Sequence, residues 1–233
     1  HPELRSLDHR AVDRDEAAGD VLLGFTARAR QLPGQPLGQA LACARVGGPE
    51  ATRLLADRLD RDAMQARTAI LKALSGLGYR AQPEVVRAQV QAIAARAAWL
   101  SGGLIYLGEA EALQPLRAAL EGALRGLRDQ LCLWLSFAYD APAILRARAA
   151  LADASGLRYT YAIEILDTQL PTDLKRPALA VLEQLPPAER LARLAAFYPQ
   201  ASATRASRLQ ELIGAPEAGW LPAWPRACAL FAA

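Results

Sequence analysis

Apolar residues recur at spacings of three and four along nearly the whole chain. That is the period of an amphipathic helix, not the alternation of a half-buried strand. Leu54, Leu55 and Leu59 mark a short helix after Pro49. Ala69, Ile70, Ala73, Leu74 and Leu77 mark the next, stopped by Gly76-Leu77-Gly78, the glycine signature of a helix C-terminus. Pro83 opens a longer helix that runs to Gly108, and its ring sits where a backbone N–H has no helical partner. A second long helix is predicted from Glu111 to Tyr139, ended by Asp140-Ala141-Pro142. Shorter helices follow over 142–153 and 157–170, from the Pro171-Thr172-Asp173 break to Gln184, after Pro186-Pro187, and over 205–213. Tyr198 to Thr204 and Gly214 to Pro225 read as loops, the second holding Trp220 and Trp224 between prolines, and the last helix begins near Arg226. Toward the other end, Leu4 to Gln31 holds one or two helices, followed by the Pro/Gly linker Leu32 to Pro36.

Two internal similarities organise these elements. At an offset of 61 residues, Gly47 meets Gly108, Glu50 meets Glu111, Ala51 meets Ala112, Leu55 meets Leu116 and Leu59 meets Leu120. In each block a glycine ends one helix, a tight turn follows, and an acid in the first turn of the next helix complements its dipole. A second motif places Arg67 before Ala69-Ile70-Leu71, Arg226 before Cys228-Ala229-Leu230 and, more loosely, Arg158 before Ala162-Ile163. An arginine so placed lies outside the core and can reach a neighbouring acid or carbonyl. Helix pairs recurring at this interval imply an α-solenoid, and 37–77 has the layout of one HEAT repeat. The expected fold class is therefore all-α, a solenoid of HEAT-like helix pairs with a longer helical hairpin inserted. Its stretches are N-terminal helices and linker over 1–35, a HEAT-like repeat over 36–80, the long hairpin over 81–140 and HEAT-like repeats over 141–233, truncated at the C-terminus. Together they make one continuous domain.

Composition sharpens this reading. Ala and Leu supply 51 and 39 of the 233 residues, whereas Val, Ile and Thr supply seven each. Strong helix formers at that excess exclude a sandwich, a barrel or a parallel sheet. The net charge is +3 and is spread along the chain, without the clustered stripe of a nucleic-acid binder. Of 27 basic residues, 25 are Arg, which reflects either GC-rich coding or a use for the bidentate guanidinium fork. Cys43, Cys132 and Cys228 are scattered in apolar runs, the pattern of core fillers in a reducing compartment. The charge-free runs, Ala97 to Gly108 and Leu131 to Tyr139, fall short of the twenty or so residues of a membrane span, so no part of the chain is expected to be membrane-inserted. The chain starts at His1 without a methionine and ends in an apolar helix, and is expected to be a piece of a longer protein.

Residues able to carry catalysis are few. The two histidines are His1 and His9, the latter in the polar Asp8-His9-Arg10 start. HExxH, zinc, nucleophile-elbow and phosphate-loop patterns are absent. Asp8, Asp13, Asp15, Glu16 and Asp20 lie among arginines and read as a solvated, salt-bridged face. Asp57, Asp60, Asp62 and Asp140 read as turn and cap residues. Ser101-Gly102-Gly103, inside an apolar helix, reads as close helix packing rather than a phosphate cradle. Trp99, Tyr106, Trp134, Phe137 and Tyr139 read as one core seam of the long hairpin. No enzyme activity, cofactor or metal is expected. The candidate interaction residues are Trp220 and Trp224, in the proline-bounded loop, and Tyr159 and Tyr161 at the start of a repeat helix.

The run from Tyr161 to Glu183, followed by Pro187 to Leu194, resembles the HEAT-repeat region of bacterial membrane proteins of the major-facilitator or ATP/ADP-translocase-like kind. Asp140 to Arg148 and Trp224 to Leu230 are similar to the same region, and the resemblance covers about 37–233. Such proteins join a transporter-like membrane part, HEAT repeats and often a cyclic-nucleotide-binding domain. The resemblance implies a non-catalytic scaffold or coupling domain on the cytoplasmic side, attached to the inner membrane through other parts of the chain. Its partners would be other domains of the same protein or a protein partner, not nucleic acid. The alternatives are a free soluble HEAT-type adaptor and a HEAT-type nucleic-acid-binding enzyme, the latter motivated by the 25 arginines.

Overall fold

The computed structural model describes residues 42, 45–59, 64–152, 156–214 and 220–233. Regular structure among the described residues is entirely helical, as the Ala/Leu composition requires. The helices are α1 (Gly48–Arg58), α2 (Met64–Gly76), α3 (Pro83–Leu107), α4 (Gln114–Ala138), α5 (Ala141–Ala152), α6 (Gly156–Gln169), α7 (Thr172–Leu182), α8 (Pro187–Ala195), α9 (Arg205–Gly214) and α10 (Ala223–Ala232). A 3-10 turn, Glu111–Leu113, leads into α4. The N-terminal helices and linker, both histidines, the acidic cluster at 8–20, Cys43, Asp60 and Asp62 lie outside the described residues.

Local signals act as the sequence implies. Gly78 ends α2 at φ +70°, a conformation that an L side chain strains. The Gly78 N–H donates to Ser75 O at 3.2 Å and the Tyr79 N–H to Leu74 O at 3.0 Å, the paired bonds of a Schellman cap. Gly47 and Gly108, aligned by the internal repeat, share φ +70° with ψ of −168° and −160°. At α5, the Ala143 N–H donates to Asp140 Oδ1 at 3.1 Å, a side-chain N-cap. Asp57 is different: it lies within the last turn of α1, not in the following turn. The last helix begins three residues earlier than expected. Pro222 is its N-cap and Pro225 falls in the first turn, whose N–H groups have no helical acceptor, so Trp224 is helical and not in a loop.

The hairpin α3–α4 is the centre of the fold. Each helix has 25 residues and is about 37 Å long at 1.5 Å per residue. Helices α7, α8 and α9 pack on α3, while α2, α5, α7 and α10 pack on α4. In an open array each pair touches only its neighbours. Here α8 and α9 return to α3 across about a hundred residues, so the flanking helices wrap around the hairpin. Val90, Ala94, Ala97, Ala98 and Leu100 of α3 and Leu120, Leu127 and Leu131 of α4 lose all contact with solvent.

Two sequence expectations change here. Helix α3 is long and apolar enough to cross a bilayer by length and mean hydropathy, although its charge-free run begins only after Arg96. In the fold, 61% of its most apolar stretch is covered by protein. The aromatic residues form two groups, not one seam. Trp134 packs edge-to-face on Phe137, which packs on Tyr79, whereas Trp99 packs on Trp220. The cause is the antiparallel register: a hairpin folded at 108–113 sets Trp134 beside the first turns of α3, about 18 Å along the axis from Trp99.

Candidate functional site

Arginines hold the helix ends, and one of them, Arg128, lines a cleft together with Arg125 and Arg148. The last four carbonyls of a helix have no helical partner and lie at the negative end of its dipole. Arg67 Nε donates to Leu59 O at 2.9 Å, just beyond α1, so this arginine reaches a carbonyl as the motif implied. Arg117 Nη1 donates to Leu104 O at 2.8 Å and Gly108 O at 2.5 Å, closing α3. Arg80 donates to Ser136 O, Tyr139 O and Ala138 O at 3.2, 2.9 and 3.0 Å, closing α4. At the end of α7, Arg128 donates through Nε to Val181 O at 2.9 Å and through Nη2 to Glu183 O at 3.0 Å. Arg190 joins it there, donating through Nη2 to Glu183 O and Leu185 O at 3.3 and 2.8 Å. A planar fork can address two carbonyls at once, which a lysine ammonium does less selectively.

The cleft, about 410 Å³, opens between α4, α5 and the end of α7. Arg125, Arg128, Asp129 and Cys132 line it from one face of α4, at the i, i+3, i+4, i+7 spacing. Arg148 and Leu151 come from α5, and Leu182 and Gln184 from the α7 terminus. Asp129 contributes the one carboxylate of the lining, and it is doubly paired: with Arg148 Nε at 2.5 Å and with Lys72 Nζ at 3.4 Å. Burial holds the Arg128 guanidinium below its ordinary pKa, and the adjacent Arg125 adds to the effect. Arg190, behind Arg128, is pushed down to about 10, first by burial and then by Arg128. Burial pushes the Cys132 thiol up to about 12, so the cleft offers no thiolate nucleophile near neutral pH. The charged groups of its lining are three guanidinium groups and one paired carboxylate. Sequence reasoning passed over these residues. The available signal was the four-residue spacing on α4, which a solvated helix face shares.

A second cluster lies across α3. Arg208 of α9 is 3% exposed, with its guanidinium 5.2 Å from the Trp99 ring centroid and 5.6 Å from that of Tyr106. Its Nη1 donates to Glu211 at 2.7 Å, while its buried Nε has no hydrogen-bond partner. It passes over Gly102 and Gly103, where an added Cβ would meet Arg208 atoms at 3.7 and 3.9 Å. Ser101-Gly102-Gly103 is thus a packing surface for an arginine.

The four candidate interaction residues divide between inward and outward positions. Trp220 is half-buried against Trp99, with Arg96 5.6 Å from its ring. Tyr159 is half-buried, and its hydroxyl accepts the Gln184 N–H at 2.5 Å. Tyr161 and Trp224 face solvent at 64% and 63% exposure. The structure does not bring the four together on one face. Beside Trp224, the outer side of α10 also presents Ala227, Leu230 and Phe231. Among the described residues, no group of three or more His, Cys, Asp or Glu side chains could hold a metal ion. The chain matches no protein-family model, no curated protein and no solved structure.

Proposed function

We propose that this chain is a non-catalytic helical interaction and coupling domain, the cytoplasmic-side part of a larger transporter-like membrane protein. On this reading α1–α2 and α5–α10 are HEAT-like units set around the inserted hairpin α3–α4. One observation carries the interaction role. Helix α10 buries Pro225, Cys228 and Ala229 on its inner side yet exposes Trp224, Leu230 and Phe231 on the other. A helix apolar on both sides is stable in water only at a cost unless a further element covers it. The natural cover is another domain of the same protein or a protein partner. The membrane association rests on the sequence resemblance of 161–183 and 187–194.

Photo-crosslinking tests the reading in the protein expressed at its natural length. A benzophenone side chain in place of Phe231 should form adducts with another part of the chain or with a protein partner. The same group in place of Arg146, exposed on α5, should not. Equal adduct yields at the two positions, or none at Phe231, would refute the docking role of α10.

A further inference from the structure

The cleft between α4, α5 and the α7 terminus holds more positive charge than its structural duties consume. Three arginines and one carboxylate line it, and Lys72 sits on that same carboxylate. Asp129 is matched by Arg148 Nε and Lys72 Nζ, which leaves Arg125 and Arg128 without a carboxylate partner in the lining. Arg128 spends Nε and Nη2 on the α7 carbonyls and Arg148 spends Nε on Asp129. Arg125, exposed at the rim, makes no hydrogen bond or ion pair among the described residues. Leu151, Leu182 and the neutral Cys132 thiol give the lining its apolar part. A volume of about 410 Å³ lies at the small end of ligand sites, which span about 300–1,000 Å³.

From this arrangement we propose that the cleft binds a small phosphate monoester. The dianionic phosphate sits against Arg125 and the outer nitrogens of Arg148 and Arg128, and the organic part lies on Leu151 and Leu182. Guanidinium forks match the oxygen pairs of a phosphate, and two or more of them offset a double negative charge that a single one would not. Gln184, exposed at the rim, adds an uncharged donor. The assignment makes no use of the α10 face and stands independently of the docking role.

The test is calorimetric titration of the whole chain with phenyl phosphate, with inorganic phosphate and phenol as partial probes, at low and moderate salt. Phenyl phosphate should bind more tightly than either part and should weaken as salt rises. Arg125→Gln should weaken it at least about tenfold, because that guanidinium has no other partner. Gln184→Glu should also weaken it by setting a like charge at the rim. Arg146→Gln removes the same charge from an exposed position outside the lining and should leave affinity within about twofold, which separates a site from diffuse attraction. All three variants should keep the wild-type melting temperature. Absence of binding at millimolar phenyl phosphate would overturn the proposal, as would equal weakening by Arg125→Gln and Arg146→Gln. Phosphatidylcholine vesicles carrying phosphatidic acid present the same phosphate on a lipid. Co-sedimentation with them that phenyl phosphate fails to compete away would overturn the small-molecule assignment.

Discussion

Replacing Arg117 by Met tests whether arginine hydrogen bonds to the terminal carbonyls, rather than helix propensity, close the central hairpin. The guanidinium donates to Leu104 O and Gly108 O at 2.8 and 2.5 Å, at the C-terminal end of α3. Met keeps most of the apolar stem and an equal helix propensity, so the change isolates the head group. A hydrogen bond to a charged group contributes about 1.5–3 kcal/mol when buried. Arg117 is half-buried, so water can replace part of each bond, and the net loss from the two is about 2 kcal/mol. For a chain of this length that lowers the melting temperature by roughly 4–8 °C. It lowers the urea midpoint by roughly 0.7 M at an m-value near 3 kcal/mol/M, with the m-value unchanged. Urea unfolding followed by far-ultraviolet circular dichroism reads both quantities. Arg117→Lys retains the charge near the helix dipole, worth about 0.3–1 kcal/mol, but not the fixed direction of the two Nη1 N–H bonds, and should fall between wild type and Met. A midpoint for Arg117→Met within about 0.2 M of wild type would refute the argument, since the expected shift is roughly three times larger. Full stability in Arg117→Lys would show that charge alone acts and that the direction of the guanidinium N–H bonds does not matter.

Two further outcomes follow from packing and burial. Gly102→Ala places a Cβ no closer than 3.7 Å to Arg208 and 4.0 Å to Gln200 and Tyr106, all ordinary contacts. With about 1 kcal/mol of helix propensity gained over Gly, it should be neutral to stabilising in thermal melts. Gly102→Leu should instead displace Arg208 from the Trp99 and Tyr106 rings and lower the melting temperature, and a rise in that variant would contradict the packing role. Cys132 is 1% exposed with its thiol pKa pushed up to about 12, so below that pH it stays protonated and hidden in the folded state. Iodoacetamide at pH 8, read by peptide mass spectrometry, should modify Cys132 only after urea unfolding, and rapid native labelling would show that the cleft floor opens.

What is legible in the sequence depends on the range of each interaction. Helix boundaries at Pro83, Asp140, Pro187 and Arg205 were readable because caps, prolines and apolar periodicity act within one or two turns. The shared dihedrals of Gly47 and Gly108 were readable for the same reason, as a repeated turn carries its own backbone requirement. The start of α10 is not legible locally, because Pro225 looks like a breaker until the N-cap is known to lie at Pro222. The interaction residues show the limit most clearly. Trp220 and Trp224 are alike in local sequence, yet one stacks on Trp99 and the other faces water, a difference set by where α3 lies relative to the turn before α10.

The sequence by itself determined the helical class, nearly every helix, the glycine turns and the apolar stripe that each helix buries. These follow from propensity and periodicity, which are properties of a few adjacent residues. Only the tertiary structure decided that α8 and α9 return to α3, that five arginines close helix ends far from or beside them, and that Arg125, Arg128 and Arg148 meet around one cleft. Ala- and Leu-rich faces pack with many partners at similar energy, so their pattern carries little information about which helix meets which. An arginine is equally stable in water until a neighbouring helix offers it carbonyls, and that neighbour is chosen by the packing of the whole chain.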